Sequence, residues 1–220
     1  MASRSVPSDR SRAALLLVDI QPDFMPAGAL PVADGDRILD PVRKLMESGA
    51  FGLAAATQDW HPRGHVSFAS SHPGRKPFDT IELYGRPQVL WPDHCVRGTP
   101  GAALHPALPW ENVDVIVRKG CDPACDSYSG FRNNWDVRGE RPPTGLTGYL
   151  RERGIAEVFI CGLARDYCCR WSAEDAAEAG FLVYFIWDLT RAVDPASDGL
   201  VRAAMEARGV RIIRAADILG

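Results

Sequence analysis

The sequence predicts an α/β domain built on a central, mainly parallel sheet of six strands, and three observations carry that prediction. Short β-rich apolar runs alternate with amphipathic segments, the pattern of a parallel sheet wound with helices. Each amphipathic segment is followed by a glycine, at positions 49, 154, 180 and 209, placed as a helix stop. The 220 residues supply enough chain for one sizeable core, so a single domain over 1–220 is expected, with 1–12 as a polar N-terminal arm.

In chain order, the first strand is expected at 14–20, a continuous apolar run interrupted only by Asp19. A helix at 38–47 follows, then a strand at 52–58. Residues 62–110 break the alternation: they are rich in Pro, Gly and His and carry no helical or alternating pattern. A loop of that length inside a compact domain is usually functional or wrongly assigned, and a functional loop is expected. The third strand is expected at 113–118, a helix at 146–153, and the fourth strand at 157–162. A helix at 167–179, a strand at 181–187, a helix at 200–207 and a last strand at 211–214 complete the pattern.

Composition narrows the function. A net charge of −3, with Lys and Arg dispersed, gives no basic field for nucleic acid. No run approaches the roughly 18–20 apolar residues of a membrane span. Residues 1–12 are polar and lack the apolar stretch of a secretory signal, which points to the cytoplasm. Six cysteines, two of them adjacent at 168 and 169, do not form the spaced framework of a secreted domain, so reduced thiols are expected.

In open α/β sheets ligands bind beyond the carboxyl ends of the strands. Those positions carry Asp19, Gln21, Asp23 and Phe24 after the first strand and Asp59, Trp60 and His61 after the second. Lys119 follows the third, and Cys168 follows the fourth. A cysteine in the first turn of a helix sees unpaired N–H groups and the positive end of the dipole, which should lower its pKa. Lys119 would stabilise the thiolate further, making Cys168 a candidate nucleophile. The alternative is that Cys168 and Cys169 are small buried helix residues.

Asp59, His61 and His65, with His94 further on, offer the carboxylate and imidazole donors of a zinc, iron or manganese site with open positions. Loop histidines making hydrogen bonds are the alternative. His72 and His105 read as exposed or structural, and Cys121 and Cys125 lack a second pair to complete a zinc cage. The chain has no G-x-S-x-G, H-E-x-x-H, Walker loop or G-x-G-x-x-G after its first strand, which removes support for serine hydrolase, zincin, NTPase and dinucleotide readings.

Six segments in order resemble one family: LVDIQPDF at 17–24, TQDWHPRGHVSF at 57–68, WPDHCV at 91–96, RKG at 118–120, DSYSGF at 126–131 and GLARDYC at 162–168. The sequence resembles the isochorismatase-like cysteine hydrolases and, within them, the nicotinamidase (pyrazinamidase) group, over about residues 15–193. The resemblance implies a three-layer sandwich and a triad of Asp19, Lys119 and Cys168. It implies an oxyanion hole from the N–H groups of Ala164 and Cys168, with a cis peptide between Leu163 and Ala164. It also implies one divalent metal on Asp59, His61, His65 and His94, with zinc first and iron or manganese also compatible. Phe24, Trp91 and Tyr128 would line a pyridine pocket. The implied reaction is nicotinamide hydrolysis in NAD salvage, and another small amide, such as an N-carbamoyl or ureido compound, is the alternative. A homo-oligomer is compatible. Arg165 departs from the family, many members of which carry Thr there, and leaves open the hydrogen bonding behind the oxyanion hole; an Arg there could also reach solvent or a partner subunit.

Overall fold

The computed structural model describes residues 10–219, so the arm expected at 1–12 lies outside the described residues apart from its last three. In chain order the strands are β1 (Ala13–Val18), β2 (Leu53–Asp59), β3 (Thr80–Leu83), β4 (Arg86–Val89), β5 (Val115–Lys119), β6 (Glu157–Leu163), β7 (Leu182–Arg191) and β8 (Arg211–Ile213). The α-helices are α1 (Leu39–Glu47), α2 (Leu146–Glu152), α3 (Arg170–Glu178), α4 (Asp198–Ala207) and α5 (Ala216–Leu219).

Six of the strands form one parallel sheet in the order β5-β2-β1-β6-β7-β8, with the helices around it. All six residues of β1 are buried, as its unbroken run Ala-Ala-Leu-Leu-Leu-Val requires of a strand paired on both edges and covered on both faces. The chain builds outward from β1 through β2 to β5, then returns to β1's other edge with β6. That reversal opens a crevice at the carboxyl ends of β1 and β6. Gly162 lets the two strands meet there: its φ is +122°, and a Cβ would lie 2.0 Å from the Val18 carbonyl oxygen.

Four elements differ from the sequence expectation. The 62–110 segment contains the antiparallel hairpin β3–β4, joined at Tyr84 and Gly85, both with positive φ (52° and 74°). Two central residues of positive φ suit the tight hairpin turn. Strands of four residues with mostly exposed or half-exposed side chains leave too little alternation to read. The helix expected at 167–179 is divided into a π turn, Arg165–Cys169, and α3. β7 continues to Arg191, four residues past its expected end at 187, after a register shift against β6. The short α5 was not anticipated.

Candidate active site

Cooperating strand ends assemble the site. Register pairs Asp59 of β2 with Lys119 of β5, and Val18 of β1 with Gly162 of β6, so Asp19, Asp59, Lys119 and the turn after β6 share one edge of the sheet. The peptide between Leu163 and Ala164 is cis, as expected. Asp19 is fully buried with φ 46°, and Thr57 fixes it: Asp19 N–H donates to Thr57 Oγ1 (3.1 Å), and that hydroxyl donates to Asp19 Oδ1 (2.6 Å). Gln21 ties β1 to β2 through the Asp59 backbone, its amide donating to Asp59 O (2.9 Å) and accepting from Asp59 N (2.8 Å).

Lys119 is the hub. Its Nζ lies 2.9 Å from Asp19 Oδ2 and 2.6 Å from Asp59 Oδ1, donates to the Ser127 carbonyl (2.9 Å), and reaches Cys168 Sγ at 3.4 Å. Burial opposes its charge, but Asp19 and Asp59 outweigh burial and hold the Lys119 pKa well above its ordinary value. Asp19 is raised by burial, with Lys119 pulling it back. Burial also acts to raise Asp59, but Lys119 and His61 overcome it and keep that carboxyl well below its usual range.

Cys168 reverses the expectation drawn from the helix dipole. Burial pushes its thiol well above the ordinary value, Lys119 opposes that, and Asp19 and Asp59 add to it. A helix end offers only part of a unit charge, and the desolvation that full burial imposes on the charged form outweighs it. The resting group is a neutral thiol beside a carboxyl of raised pKa. Cys169 is buried and its thiol is raised well above the ordinary value, again chiefly by burial.

Asp59 turns its other oxygen to two histidines, Oδ2 lying 3.3 Å from His61 Nε2 and 3.6 Å from His94 Nε2. His61 Nδ1 sits 3.1 Å from the Gly120 carbonyl and His94 Nδ1 2.8 Å from the Pro92 carbonyl. A carbonyl only accepts, so each Nδ1 carries a proton and each ring turns its Nε2 to the Asp59 carboxylate, which raises the His61 pKa against the effect of burial. That arrangement favours a cation among the three atoms, and backbone carbonyls behind metal-bound imidazoles are the usual way of orienting them. The three donors are buried and mutually within 4.8 Å, a good fit for a divalent ion.

His65 stands apart from this group. Its ring packs on His61 with centroids 4.3 Å apart, while Nδ1 meets Ser67 Oγ (2.8 Å) and Nε2 meets the Cys125 carbonyl (3.3 Å). It converges instead with His61 and Asp126. Asp19, Asp59 and Cys168 also converge, but the Lys119 ammonium already serves them as cation. Neither Cys121 nor Cys125 joins a cluster of metal donors among the described residues.

Asp59, His61, His94, Ala164 and Cys168 border a cavity at this edge of the sheet. Phe24, Trp91 and Tyr128 line it as expected, joined by Leu30, Asp126, Ser127, Tyr167 and Val193, which the sequence reading missed. Trp91 Nε1 donates to Tyr128 Oη (3.2 Å), and Tyr167 stands edge-on to both rings at 4.7 and 5.4 Å between centroids. Tyr167, beside Cys168, and Ser127, beside Tyr128, could have been found from adjacency alone; Leu30 and Val193 carry no sequence signal. Arg165 turns inward, donating to Thr190 Oγ1 (3.0 Å), Thr190 O (2.7 Å) and Trp187 O (3.2 Å), pairing with Asp198, and stacking 4.1 Å above the Trp187 ring.

A family model for the Isochorismatase domain matches residues 13–217. The chain belongs to the isochorismatase family. Among family members, the nicotinamidase of Acinetobacter baylyi is 46% identical over 209 residues, covering 94% of each chain. That of Escherichia coli is 41% identical over 93% of this chain and 95% of its own. The structure of an Acinetobacter baumanii nicotinamidase superposes with a TM-score of 0.89 at 42% identity, covering 95% of this chain and 99% of that one. A Pyrococcus horikoshii pyrazinamidase solved with zinc gives 0.73 at 37% identity, over 92% and 99%. An L. infantum protein solved with nicotinate gives 0.82 at 36%, over 97% and 96%.

Proposed function

We propose that this chain hydrolyses nicotinamide to nicotinate and ammonia through a thioester on Cys168. The observation that carries the reading is that Cys168, held beside buried Lys119 and Asp19, and the three buried metal donors border one aromatic-walled cavity. High identity over nearly full length to named nicotinamidases supports the substrate.

Asp19, its basicity raised by burial, takes the Cys168 proton as the sulfur attacks the carboxamide carbon. The N–H groups of Ala164 and Cys168 hold the developing oxyanion. Asp19 returns the proton to the departing ammonia, then activates the water that cleaves the thioester. Lys119 holds both carboxylates in register and offsets negative charge as the thiolate forms. Asp59, His61 and His94 would hold a divalent ion, which would supply Lewis-acid chemistry toward the pyridine ring. Zinc is the first choice, supported by the zinc-bound pyrazinamidase, and iron or manganese suit the same donors. His65, the fourth ligand that the family resemblance implies, packs against His61 and converges with it and Asp126. The same reading treats 1–220 as one cytoplasmic domain acting in NAD salvage, supported by a family match across 13–217 and six unpaired cysteines.

The test is ammonia release from nicotinamide by the purified protein, beside Cys168→Ala and a chelated sample restored with metal. Release that vanishes in the variant and falls reversibly on chelation is the expected result. No release by reduced, metal-replete protein would refute the substrate and direct attention to carbamoyl and ureido compounds.

A further inference from the structure

Ser127 is 1% exposed and lines the cavity, yet its hydroxyl serves nothing in the protein. Its backbone is committed: the N–H donates to Asp126 Oδ1 (2.8 Å) and the carbonyl accepts from Lys119 (2.9 Å). Its Oγ is closed off from solvent and has no hydrogen-bond partner among the described residues. Buried hydroxyls are normally satisfied, and an exception calls for a reason.

The other buried polar side chains of the wall are engaged. Asp59 faces Lys119, His61 and His94; Asp126 accepts from Ser127 N and from Gln88; the Tyr128 hydroxyl accepts from Trp91 and Gln88. A carboxamide brings one acceptor oxygen and one NH₂ donor into this space. In the mechanism above, backbone N–H groups take the oxygen, which leaves the NH₂ in need of an acceptor. A serine hydroxyl accepts from an amide N–H in the substrate and, by rotating its proton, donates to the carboxylate oxygen that replaces it in the product.

Resting on the nicotinamide reading, we propose that the Ser127 hydroxyl is a substrate-binding group that accepts a hydrogen bond from the carboxamide nitrogen and so favours amides over esters. An ester's alkoxy oxygen has no N–H to offer and loses nothing when the hydroxyl is removed.

The experiment compares wild type with Ser127→Ala on nicotinamide and on methyl nicotinate, the ester being read as a competitive ligand if it is not turned over. Alanine keeps the carbonyl that anchors Lys119, and Oγ has no protein partner to lose, so thermal denaturation should show an unchanged Tm. The expected result is a loss of about tenfold in kcat/KM on nicotinamide, about 1.4 kcal/mol, with the ester constant changing by less than about twofold. Equal losses on both compounds, or none on either, overturn the assignment. An active wild type with an unaffected variant sinks this inference alone, whereas a wild type inert on nicotinamide sinks the substrate reading with it.

Discussion

Arg165→Met removes a buried cation that ties the turn carrying Cys168 to the end of β7 and the start of α4. Methionine keeps much of the apolar stem but strips the donors from Thr190 O, Trp187 O and Asp198 and loses the stack on Trp187. Breaking a fully buried pair costs about 3–5 kcal/mol. Asp198 is 33% exposed, so solvent recovers part of its charge and the cost falls to about 2–3 kcal/mol. For a chain of this size that corresponds to a Tm lower by about 5–10 °C. Asp198→Asn leaves the guanidinium its carbonyls and its ring and should cost below about 1 kcal/mol. Circular dichroism melts of the two variants beside wild type, with kcat measured on each, test the assignment. A methionine variant melting within about 2 °C of wild type, or no more destabilised than Asp198→Asn, would show that the network carries neither stability nor the turn.

Lys119→Met leaves Asp19 and Asp59 buried without their shared cation; urea denaturation should show a loss of about 3–5 kcal/mol, and ammonia release should disappear. Gly120→Ala places a Cβ 2.4 Å from the His61 ring at a backbone φ of +64°, so purified variant should carry clearly less metal by elemental analysis; wild-type metal content would refute the crowding. Burial pushes the Cys161 thiol up to about 12, so at neutral pH it stays protonated. Iodoacetamide followed by mass spectrometry should therefore label exposed Cys121 and spare Cys161 until the chain unfolds, and early labelling of Cys161 would contradict the buried placement of β6.

The sheet was legible because a strand buried on both faces must be continuously apolar, as β1, β6 and the first part of β7 are, while the half-exposed edge strands β5 and β8 still carry short β-rich runs. The site was legible in outline for a related reason: the ends of parallel strands are where ligands bind, so Asp19, Asp59, Lys119 and Cys168 could be nominated from position and motif. What the residues around them do depends on groups remote in the chain. Arg165 finds its partners 22 to 33 positions away, His65 takes its carbonyl from Cys125, and Ser127 ends with a hydroxyl nothing claims. The direction of the Cys168 pKa belongs here too, since local sequence supplies the helix end but only the packed fold supplies the burial that overrides it. Sequence thus determined which segments must leave water and which chemical groups lie at their ends. Tertiary structure decided which of those groups touch and how they are charged, because desolvation and hydrogen bonding sum over neighbours that chain order does not reveal.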